Sequence, residues 1–555
     1  MSQIPERFNN KSMYQMIKEM AIAHPNVLAV YYQQRRMTFK QLLNRIDKTA
    51  AYLENKLGVR EKDVITLALP NIPNVLILFY ACNKLGAICN MVHPLTPYNQ
   101  LKYIIDQTKS KWAFVFEQRV AKEVEKFKEI RDEIFVCRVE DYLPLFQHFG
   151  YHFFMNFRIR RKLGKSWRFA GFKYTKSFKR KGKHSVEKLN NGKDVAVMLH
   201  SGSTTGDPKT IVLSNDNFNF IASCASEETC KTPEELIGFG GMLSFLPSFH
   251  GFGLGMTMHA PLSNGFASVL LPKFTPKEVV KAMRFTRITC MCGVPTAYEA
   301  LINDEYFAKC PQLKHLHVAW SGGDSMSVVL QDKWDKIMQE QGSHCKLFEG
   351  YGLTESIAAI VVNTYDHNKP NCLGYPLKGV DVEIFSEDGK MLPPNEVGEI
   401  AVSAPSNMVS YFKDPNATDA AVKNGFVYTG DLGYKDEDGF IFFSSRKKRV
   451  VKVSGVGVFP TEVEHLVETV PGVKLVCAVQ IPDARLQAAL KLFVVTDYLD
   501  KEGLRQDIMH TCRKYLIRWA IPKEIEFRQE LPRTQIGKVD FRKLQEEENK
   551  SRGIA

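Results

Sequence analysis

Four short motifs follow one another in the last two-thirds of this 555-residue chain, and together they constrain its fold more than any other feature. Residues 201–209 (SGSTTGDPK) form a run of small hydroxyl residues and glycines that ends in a lysine. The other three motifs are EGYGLTE at 349–355, YTGD at 428–431 followed by Arg446, and PRTQIGK at 532–538. Each motif alone is typical of a surface turn, so the information lies in their order and spacing.

The first motif has the chemistry of a phosphate-binding loop. Its small residues leave backbone N–H groups and hydroxyls exposed to an anion, and Lys209 adds a positive charge. The spacing of a P-loop, which needs Gly-x-x-x-x-Gly-Lys-Ser/Thr, is not present in this segment. The strand-like run at 194–199 before the loop favours a binding role over that of an ordinary polar turn.

The length and the residue pattern predict two domains. A chain of 555 residues is too long for one compact core. Helix-like spacing, as at 38–57, alternates with strand-like runs, as at 112–116, to about residue 440, which predicts an α/β architecture. After Arg446 the pattern becomes a smaller α+β one. We therefore predict an N-terminal domain at 1–447 and a C-terminal domain at 448–555.

In their order and separations, these motifs resemble those of the adenylate-forming enzymes, which include acyl-CoA synthetases, amino-acid adenylation domains and luciferases. The resemblance extends over nearly the whole chain. It implies a large multi-layered N-terminal α/β domain, which binds AMP and activates an acyl group, and a small mobile α+β C-terminal domain. It also implies ATP as substrate, Mg²⁺ as cofactor and coenzyme A as acceptor.

The same resemblance implies a role for individual residues. Catalytic roles go to Lys209, Thr354, Glu355 and Lys538, with Glu355 also holding Mg²⁺. Contacts to the nucleotide and to CoA are implied for a larger set that lies within the motifs: Ser201, Gly202, Ser203, Thr204, Thr205, Gly206, Gly323, Glu349, Gly350, Tyr351, Gly352, Asp431, Arg446, Lys448, Lys452 and Gly455. Four residues depart from the family pattern, namely Ser203, Thr210, Ser445 and Arg449.

Several of these roles follow family counterparts at matching positions. Asp431 matches an Asp that accepts hydrogen bonds from both ribose hydroxyls, a task that suits an ionised carboxylate, and Arg446 matches its supporting Arg. Lys448 stands at the hinge between the domains. Gly455 matches a position beside the pantetheine path, where a missing side chain permits close approach. Lys538 matches a Lys that bridges the carboxylate and the phosphates.

The segment 246–253 (LPSFHGFG) resembles the acyl-CoA synthetase pattern and predicts substrate contacts by His250 and Phe252. Amino-acid adenylation domains usually carry an Asp where this chain has His250, which argues against an α-amino acid. The apolar neighbours, including Met256 and Met258, suit an acyl chain but are equally consistent with core packing. His250 is equally consistent with a buried neutral histidine.

The predicted function is therefore an AMP-forming acyl-CoA ligase for a medium- or long-chain fatty acid. Three alternatives stay open at this point. The first is an acyl-AMP ligase that loads an acyl carrier protein, and the second is a CoA ligase for an aryl or other carboxylate. The third is a non-catalytic binder of acyl adenylates, suggested by the departures from the family pattern.

A basic segment accounts for most of the net charge of +13. Residues 151–184 contain twelve Lys and Arg, no Asp or Glu, and several aromatic residues. One interpretation is a solvated insertion. The other is peripheral contact with an anionic membrane, because cations and aromatic rings suit that interface. No recognition motif predicts a nucleic-acid partner.

The cysteines and the hydropathy pattern predict a cytoplasmic protein, with peripheral membrane contact as the open addition. Twelve scattered cysteines show no zinc-binding spacing and suggest reduced thiols. The first residues lack the apolar core of a signal peptide. No run of 18 apolar residues predicts a membrane span.

Overall fold

The structure, a computed structural model, describes most of the chain. The described residues are 4–144, 149–151, 153, 173–174, 187–188, 190–200, 209–324, 326, 328–454, 456–483, 485–533 and 539–553, without the side chains of Tyr174 and Lys448. The predicted α/β fold, with a large N-terminal domain and a small C-terminal domain, is confirmed.

The strands are numbered here in chain order. They are β1 Leu28–Tyr32, β2 Arg35–Thr38, β3 Val64–Ala68, β4 Ile88–Met91, β5 Trp112–Phe116, β6 Ile134–Cys137, β7 Lys173–Tyr174, β8 Val195–His200, β9 Thr210–Ser214, β10 Gly241–Ser244, β11 Ala267–Leu270, β12 Cys290–Gly293, β13 Val318–Gly322, β14 Lys346–Gly352, β15 Ala359–Val362, β16 Tyr375–Pro376, β17 Asp381–Phe385, β18 Gly398–Ser403, β19 Ser410–Tyr411, β20 Val422–Lys423, β21 Phe426–Lys435, β22 Ile441–Arg446, β23 Val451–Val453, β24 Val456–Val458, β25 Leu475–Asp483, β26 Gln487–Val495 and β27 Glu524–Arg528.

The α-helices lie between these strands and at both ends of the chain. They are Met13–Ala23, Phe39–Leu57, Pro73–Lys84, Tyr98–Thr108, Glu117–Lys122, Val124–Phe127, Asn215–Ser223, Ala225–Thr229, Pro233–Leu236, Ala260–Ser263, Pro276–Phe285, Pro295–Ile302, Glu305–Ala308, Val328–Glu340, Pro415–Ala421, Pro460–Glu468, Lys501–Tyr515 and Phe541–Ser551. A π-helix, Phe252–His259, precedes Ala260–Ser263.

Local sequence explains where the elements begin and end. The helix Phe39–Leu57, predicted at 38–57, begins at a capping box in which Thr38 accepts from the backbone of Gln41 and the Gln41 side chain accepts from the backbone of Thr38. It ends at Gly58, which adopts the left-handed conformation with φ of 64°. The strand predicted at 112–116 is β5 with the same bounds.

Two large sheets form the N-terminal part. One has the order β16-β15-β14-β13-β12-β10-β11-β1-β2, and the other has the order β19-β9-β8-β4-β3-β5-β6-β7. In the first sheet β10 to β14 pair in parallel. The carboxyl ends of parallel strands meet at one edge, which is where open α/β sheets bind ligands.

The predicted alternation of helices and strands to about residue 440 is wrong in its last part. Strands β17, β18, β20, β21 and β22 form a five-stranded sheet in which every pairing is antiparallel, while β19 pairs with β9 in the eight-stranded sheet. The reason is local: β17 alternates exposed and buried residues, as a strand with one solvated face does. Residues 386–397 join β17 to β18 in this sheet.

Residues after 450 have hydrophobic clusters of their own. One cluster joins β23, β25 and β26 to the helices Pro460–Glu468 and Lys501–Tyr515, and a second packs the helix Phe541–Ser551 on the same sheet. The domain limits of 1–447 and 448–555 stay a prediction. In the described part of the chain, no helix combines the length and the apolar character needed to cross a membrane.

Candidate active site

Three strand ends bring predicted site residues to one edge of the nine-stranded sheet. After β10 the chain enters the segment that holds His250, and β13 leads into Gly323. The end of β14 leads into the short 3-10 turn Thr354–Ser356. Sheet topology therefore gathers residues from three separate parts of the sequence.

The predicted adenylate segment occupies β14 itself. Glu349, Gly350, Tyr351 and Gly352 are consecutive strand residues, and Gly350 pairs with Gly322 of β13. A Cβ added at Gly322 would stand 2.9 Å from the Gly350 carbonyl oxygen and 3.4 Å from the Phe252 ring. The two strand ends and Phe252 are therefore in tight contact, and a side chain at 322 would separate them.

Glu349 is half-buried, and its carboxyl group lies near Asp324. Burial is the main cause that raises the pKa of Glu349 to about 8, and the negative charge of Asp324 acts in the same direction. A hydrogen bond from the Met326 backbone N–H to the carboxyl group acts against them and lowers the pKa. At neutral pH this group is mostly protonated. Gly323 precedes Asp324 and has φ of 80°, a conformation that favours glycine.

The predicted ribose carboxylate, Asp431, is held by two partners. The Tyr351 hydroxyl donates to Asp431 Oδ2 at 2.7 Å, and Arg446 Nε lies 2.9 Å from Oδ1. Asp431 and Arg446 are direct partners in the β21–β22 ladder. Asp431 is buried, while the Arg446 side chain is 60% exposed. The structure thus brings together three of the predicted nucleotide contacts.

Tyr411 connects two other predicted residues that are far apart in sequence. Its hydroxyl donates to Glu355 Oε1 at 2.8 Å, and the Lys209 ammonium lies 4.5 Å from its ring centre. Burial and the charge of Glu355 raise the pKa of Tyr411, so the hydroxyl stays protonated and remains a donor. Strand β19 places Tyr411 here by pairing with β9. No motif in the sequence signals this residue.

The predicted phosphate loop itself lies outside the described residues, from Ser201 through Gly206 to residue 208. The strands on either side of it are described. His200 Nε2 lies 2.7 Å from Asn90 Oδ1, and its Nδ1 lies 3.1 Å from the Thr210 hydroxyl. Thr210, which departs from the pattern of the adenylate-forming enzymes that the motifs resemble, is thus hydrogen-bonded to the strand that precedes the loop. Burial lowers the pKa of His200 to about 4, so it is neutral at pH 7.

His250 belongs to a partly buried aromatic cluster. Its ring centre lies 4.6 Å from that of Phe249, which in turn lies 4.7 Å from His93. Burial, with a smaller contribution from His93, lowers the pKa of His250 to about 4. A neutral imidazole at this place cannot act as a fixed positive charge toward a carboxylate. Met256 and Met258 are packed in the hydrophobic core.

Asn71 fixes the segment that carries His250, and sequence analysis missed it. Its amide donates to the carbonyl oxygens of Ser244 and Leu246 at 2.9 and 2.8 Å. The backbone N–H of Ser248 donates to Asn71 Oδ1 at 3.1 Å. One buried side chain therefore ties the start of the segment 246–253, with its predicted substrate contacts, to the neighbouring sheet.

The C-terminal site residues are only partly described. Lys448 lies in the 3-10 turn Lys447–Arg449, and Lys452 is exposed in β23. Gly455 and Lys538 lie outside the described residues. The roles predicted for all these residues stay predictions.

Comparison with known proteins identifies the family. Residues 17–412 match the model of the AMP-binding enzymes, and residues 462–538 match the model of the AMP-binding enzyme C-terminal domain. The long-chain-fatty-acid–CoA ligase of Bacillus subtilis is 29% identical, with 98% of this chain and 96% of that protein covered. The protein of the same name from Escherichia coli O157:H7 is 28% identical, with 98% and 95% covered.

Solved structures agree in fold. An anthranilate CoA ligase, AuaEII, in complex with anthranoyl-AMP has a TM-score of 0.80 at 20% identity, with 98% of each chain covered. ATP-bound MatB from Rhodopseudomonas palustris has a TM-score of 0.80 at 22% identity, with 97% of this chain and 99% of that chain covered.

The matched models and the ligase relatives confirm the resemblance predicted from the four motifs. Both parts of the chain match, so the agreement is not limited to one motif or one sheet. The chain therefore belongs to the AMP-binding enzyme family, as an enzyme of the acyl-CoA synthetase type.

Proposed function

We propose that this enzyme activates a medium- or long-chain fatty acid with ATP and transfers the acyl group to coenzyme A, releasing AMP and pyrophosphate. The observation that carries the proposal is the gathering of Phe252, Gly322 and Gly350 at one sheet edge. This contact joins the predicted acyl segment to the predicted adenylate segment. The names of the bacterial relatives support the choice of acid.

The proposed reaction depends more on neutralising negative charge at the phosphates than on a general base. A carboxylate is already ionised at neutral pH, so it can attack the α-phosphate of ATP without losing a proton. The attack forms a carboxylate–phosphorus bond and breaks the bond to pyrophosphate. The protein must hold the two reactants in line and neutralise charge at phosphorus. In the second step a thiol displaces AMP from the acyl carbon.

Glu355 fits the proposed Mg²⁺ role. Among the described residues no group of three His, Cys, Asp or Glu could form a complete metal site. A single carboxylate is nevertheless appropriate, because Mg²⁺ is commonly held by one or two carboxylates together with substrate phosphates. Bound Mg²⁺ would supply charge neutralisation for those phosphates. Tyr411 would orient the Glu355 carboxylate by donating to Oε1, which leaves Oε2 for the ion.

Asp431 fits the proposed ribose role for a related reason. Tyr351 and Arg446 hold its carboxylate in place before any ligand arrives. Such preorganisation reduces the ordering cost of binding.

For the second step we assign Lys448 to the hinge about which the C-terminal domain rotates. The rotation would carry Lys538 away from the position that it occupies during adenylation. It would also bring Gly455 to the pantetheine path.

The experiment that tests the proposal is acid-dependent exchange of pyrophosphate into ATP across a panel of acids. Exchange should be fastest with fatty acids of about ten or more carbons, because longer chains bury more apolar surface. Acetate, an α-amino acid and benzoate complete the panel. A preference for benzoate would favour an aryl-CoA ligase, the alternative suggested by the fold neighbour that acts on anthranilate. Failure of every acid in the panel to support exchange would favour the non-catalytic binder of acyl adenylates.

The acceptor is tested separately. Thioester formation should occur with free CoA. Formation only with an acyl carrier protein would identify the enzyme as a carrier-loading ligase.

The cellular location belongs to the proposal as well. All twelve cysteines are free thiols, which supports a reducing compartment such as the cytoplasm. We further propose that residues 151–184, nearly all of which lie outside the described part, attach the enzyme peripherally to anionic membranes. Each Lys or Arg near such a surface contributes about 1 kcal/mol. Co-sedimentation with anionic and neutral vesicles tests this, and equal sedimentation with both at low salt would contradict it.

A further inference from the structure

A cavity of about 430 Å³ lies between the β1–β2 hairpin and the helices Phe39–Leu57 and Pro73–Lys84. None of the residues predicted for adenylation or CoA binding lines it. Four cationic side chains from the hairpin and the first of these helices do: Arg35, Arg36, Arg45 and Lys48. The cavity therefore has a strongly positive lining that the proposed reaction does not use.

The positive charge of this cavity is not neutralised by the part of the protein that the structure describes. No described carboxylate forms an ion pair with any of the four cations. Asp141 also lines the cavity, but its Oδ1 accepts from Arg138 Nη2 at 3.0 Å. Burial lowers the pKa of Arg35, and the nearby charge of Arg45 lowers it further. Like charges held together in this way favour an anion between them.

The remaining lining suits an oxyanion rather than a bare ion. Gln41, Asn44 and Thr49 add neutral side chains that can donate hydrogen bonds. The Arg45 guanidinium lies 5.2 Å from the centre of the Tyr142 ring, a cation–π contact that restricts its orientation. Burial raises the pKa of Tyr142 to about 12, so its hydroxyl is protonated at pH 7.

We propose that this cavity is a binding site for a phosphate monoester. At neutral pH such a group carries nearly two negative charges and three acceptor oxygens. The planar guanidinium groups of Arg35 and Arg45 match phosphate oxygens in a two-point contact. The group can belong to a small soluble phosphate or to a phospholipid headgroup, since both present the same chemistry.

Glycerol 3-phosphate and phosphatidic acid carry this group in soluble and lipid form, and they are the two probes. The first arm is calorimetric titration of the full-length enzyme with glycerol 3-phosphate, with a saturating acyl sulfamoyl adenosine present, an acyl-adenylate mimic without a phosphate group, to occupy the adenylate site. The second arm is co-sedimentation with phosphatidylcholine vesicles that contain phosphatidic acid. Binding in the first arm identifies a soluble ligand as sufficient. Binding in the second arm alone identifies a lipid source for the cavity if the cavity variants weaken it, because residues 151–184 are unchanged in those variants.

The test variant is Arg35→Gln with Arg45→Gln, and the matched control is Lys40→Gln with Lys56→Gln. Both control lysines are exposed on the helix Phe39–Leu57, which also carries Arg45, and neither lines the cavity. Their replacement by Gln removes two positive charges, as the test variant does. Loss of charge-assisted hydrogen bonds should weaken binding at least about tenfold in the test variant, with little change in the control.

A second pair keeps the test decisive if the arginine variant does not fold. Arg36→Gln with Lys48→Gln changes two exposed residues, so it should fold and still weaken binding. Absence of binding by the wild type in both arms would overturn the proposal. Equal weakening in the test and control variants would overturn it too, because that result would reflect overall charge.

Discussion

Replacing Tyr411 by Phe isolates a contact that only the structure reveals. The substitution removes the hydroxyl that donates to Glu355 Oε1 at 2.8 Å and keeps the ring beside Lys209. A hydrogen bond to a charged group is worth about 1.5–3 kcal/mol, which corresponds to about a tenfold to hundredfold change in an equilibrium constant. Loss of a partner that orients a metal-binding carboxylate usually lowers the metal affinity or the activity by a similar factor.

The assay is the Mg²⁺ dependence of acid-dependent pyrophosphate exchange. In Tyr411→Phe, the Mg²⁺ concentration that gives half-maximal exchange should rise by about one to two orders of magnitude. Tyr14→Phe is the matched control, because the Tyr14 hydroxyl donates to Asp47 Oδ1 at the same 2.8 Å distance in a region without predicted site residues. It should lose stability without a change in Mg²⁺ dependence. Identical Mg²⁺ dependence in Tyr411→Phe and wild type would refute the orienting role.

Three further predictions follow from the site and the core. Lys538→Ala should abolish pyrophosphate exchange yet leave thioester formation from supplied acyl-AMP. Lys448→Pro should abolish thioester formation and leave pyrophosphate exchange, because proline stiffens the hinge. Equal loss of both steps in both variants would contradict domain rotation. Fatty-acid activity should rise with chain length at up to about 0.8 kcal/mol per buried methylene, and a preference for acetate would exclude a long acyl pocket. Burial lowers the pKa of His259 from its usual 6.5 to about 3. Between these two pH values the imidazole is protonated in the unfolded chain but neutral in the native chain. The free energy of unfolding should therefore fall as the pH is lowered from 6.5 toward 3. His259→Gln should flatten the fall in melting temperature over this range, and an unchanged slope would show that another group controls it.

Local sequence predicted the elements that local interactions determine. The helix Phe39–Leu57 has its capping box and its glycine stop within the segment itself, and its limits were predicted to within one residue. The family motifs, likewise, are short and contiguous. Asp431 and Arg446 were both predicted, and the β21–β22 ladder brings them together.

Contacts between distant strands could not be predicted in the same way. Tyr411 reaches Glu355 and Lys209 only because β19 pairs with β9 across about two hundred residues of sequence. Asn71 has no motif, and its role depends on three backbone groups of the segment 244–248. The antiparallel sheet of β17, β18, β20, β21 and β22 was not predicted, because the alternation that indicates its solvated face covers only five residues in β17.

The central claim is that the enzyme joins an acid to a thiol at the expense of ATP converted to AMP. The most direct measurement is quantification of nucleotides and thioesters after incubation of the full-length protein with ATP, Mg²⁺, CoA and dodecanoate. We predict dodecanoyl-CoA and AMP in equal amounts, with no ADP. Formation of ADP and phosphate, or of no thioester with any fatty acid tested, would contradict the account.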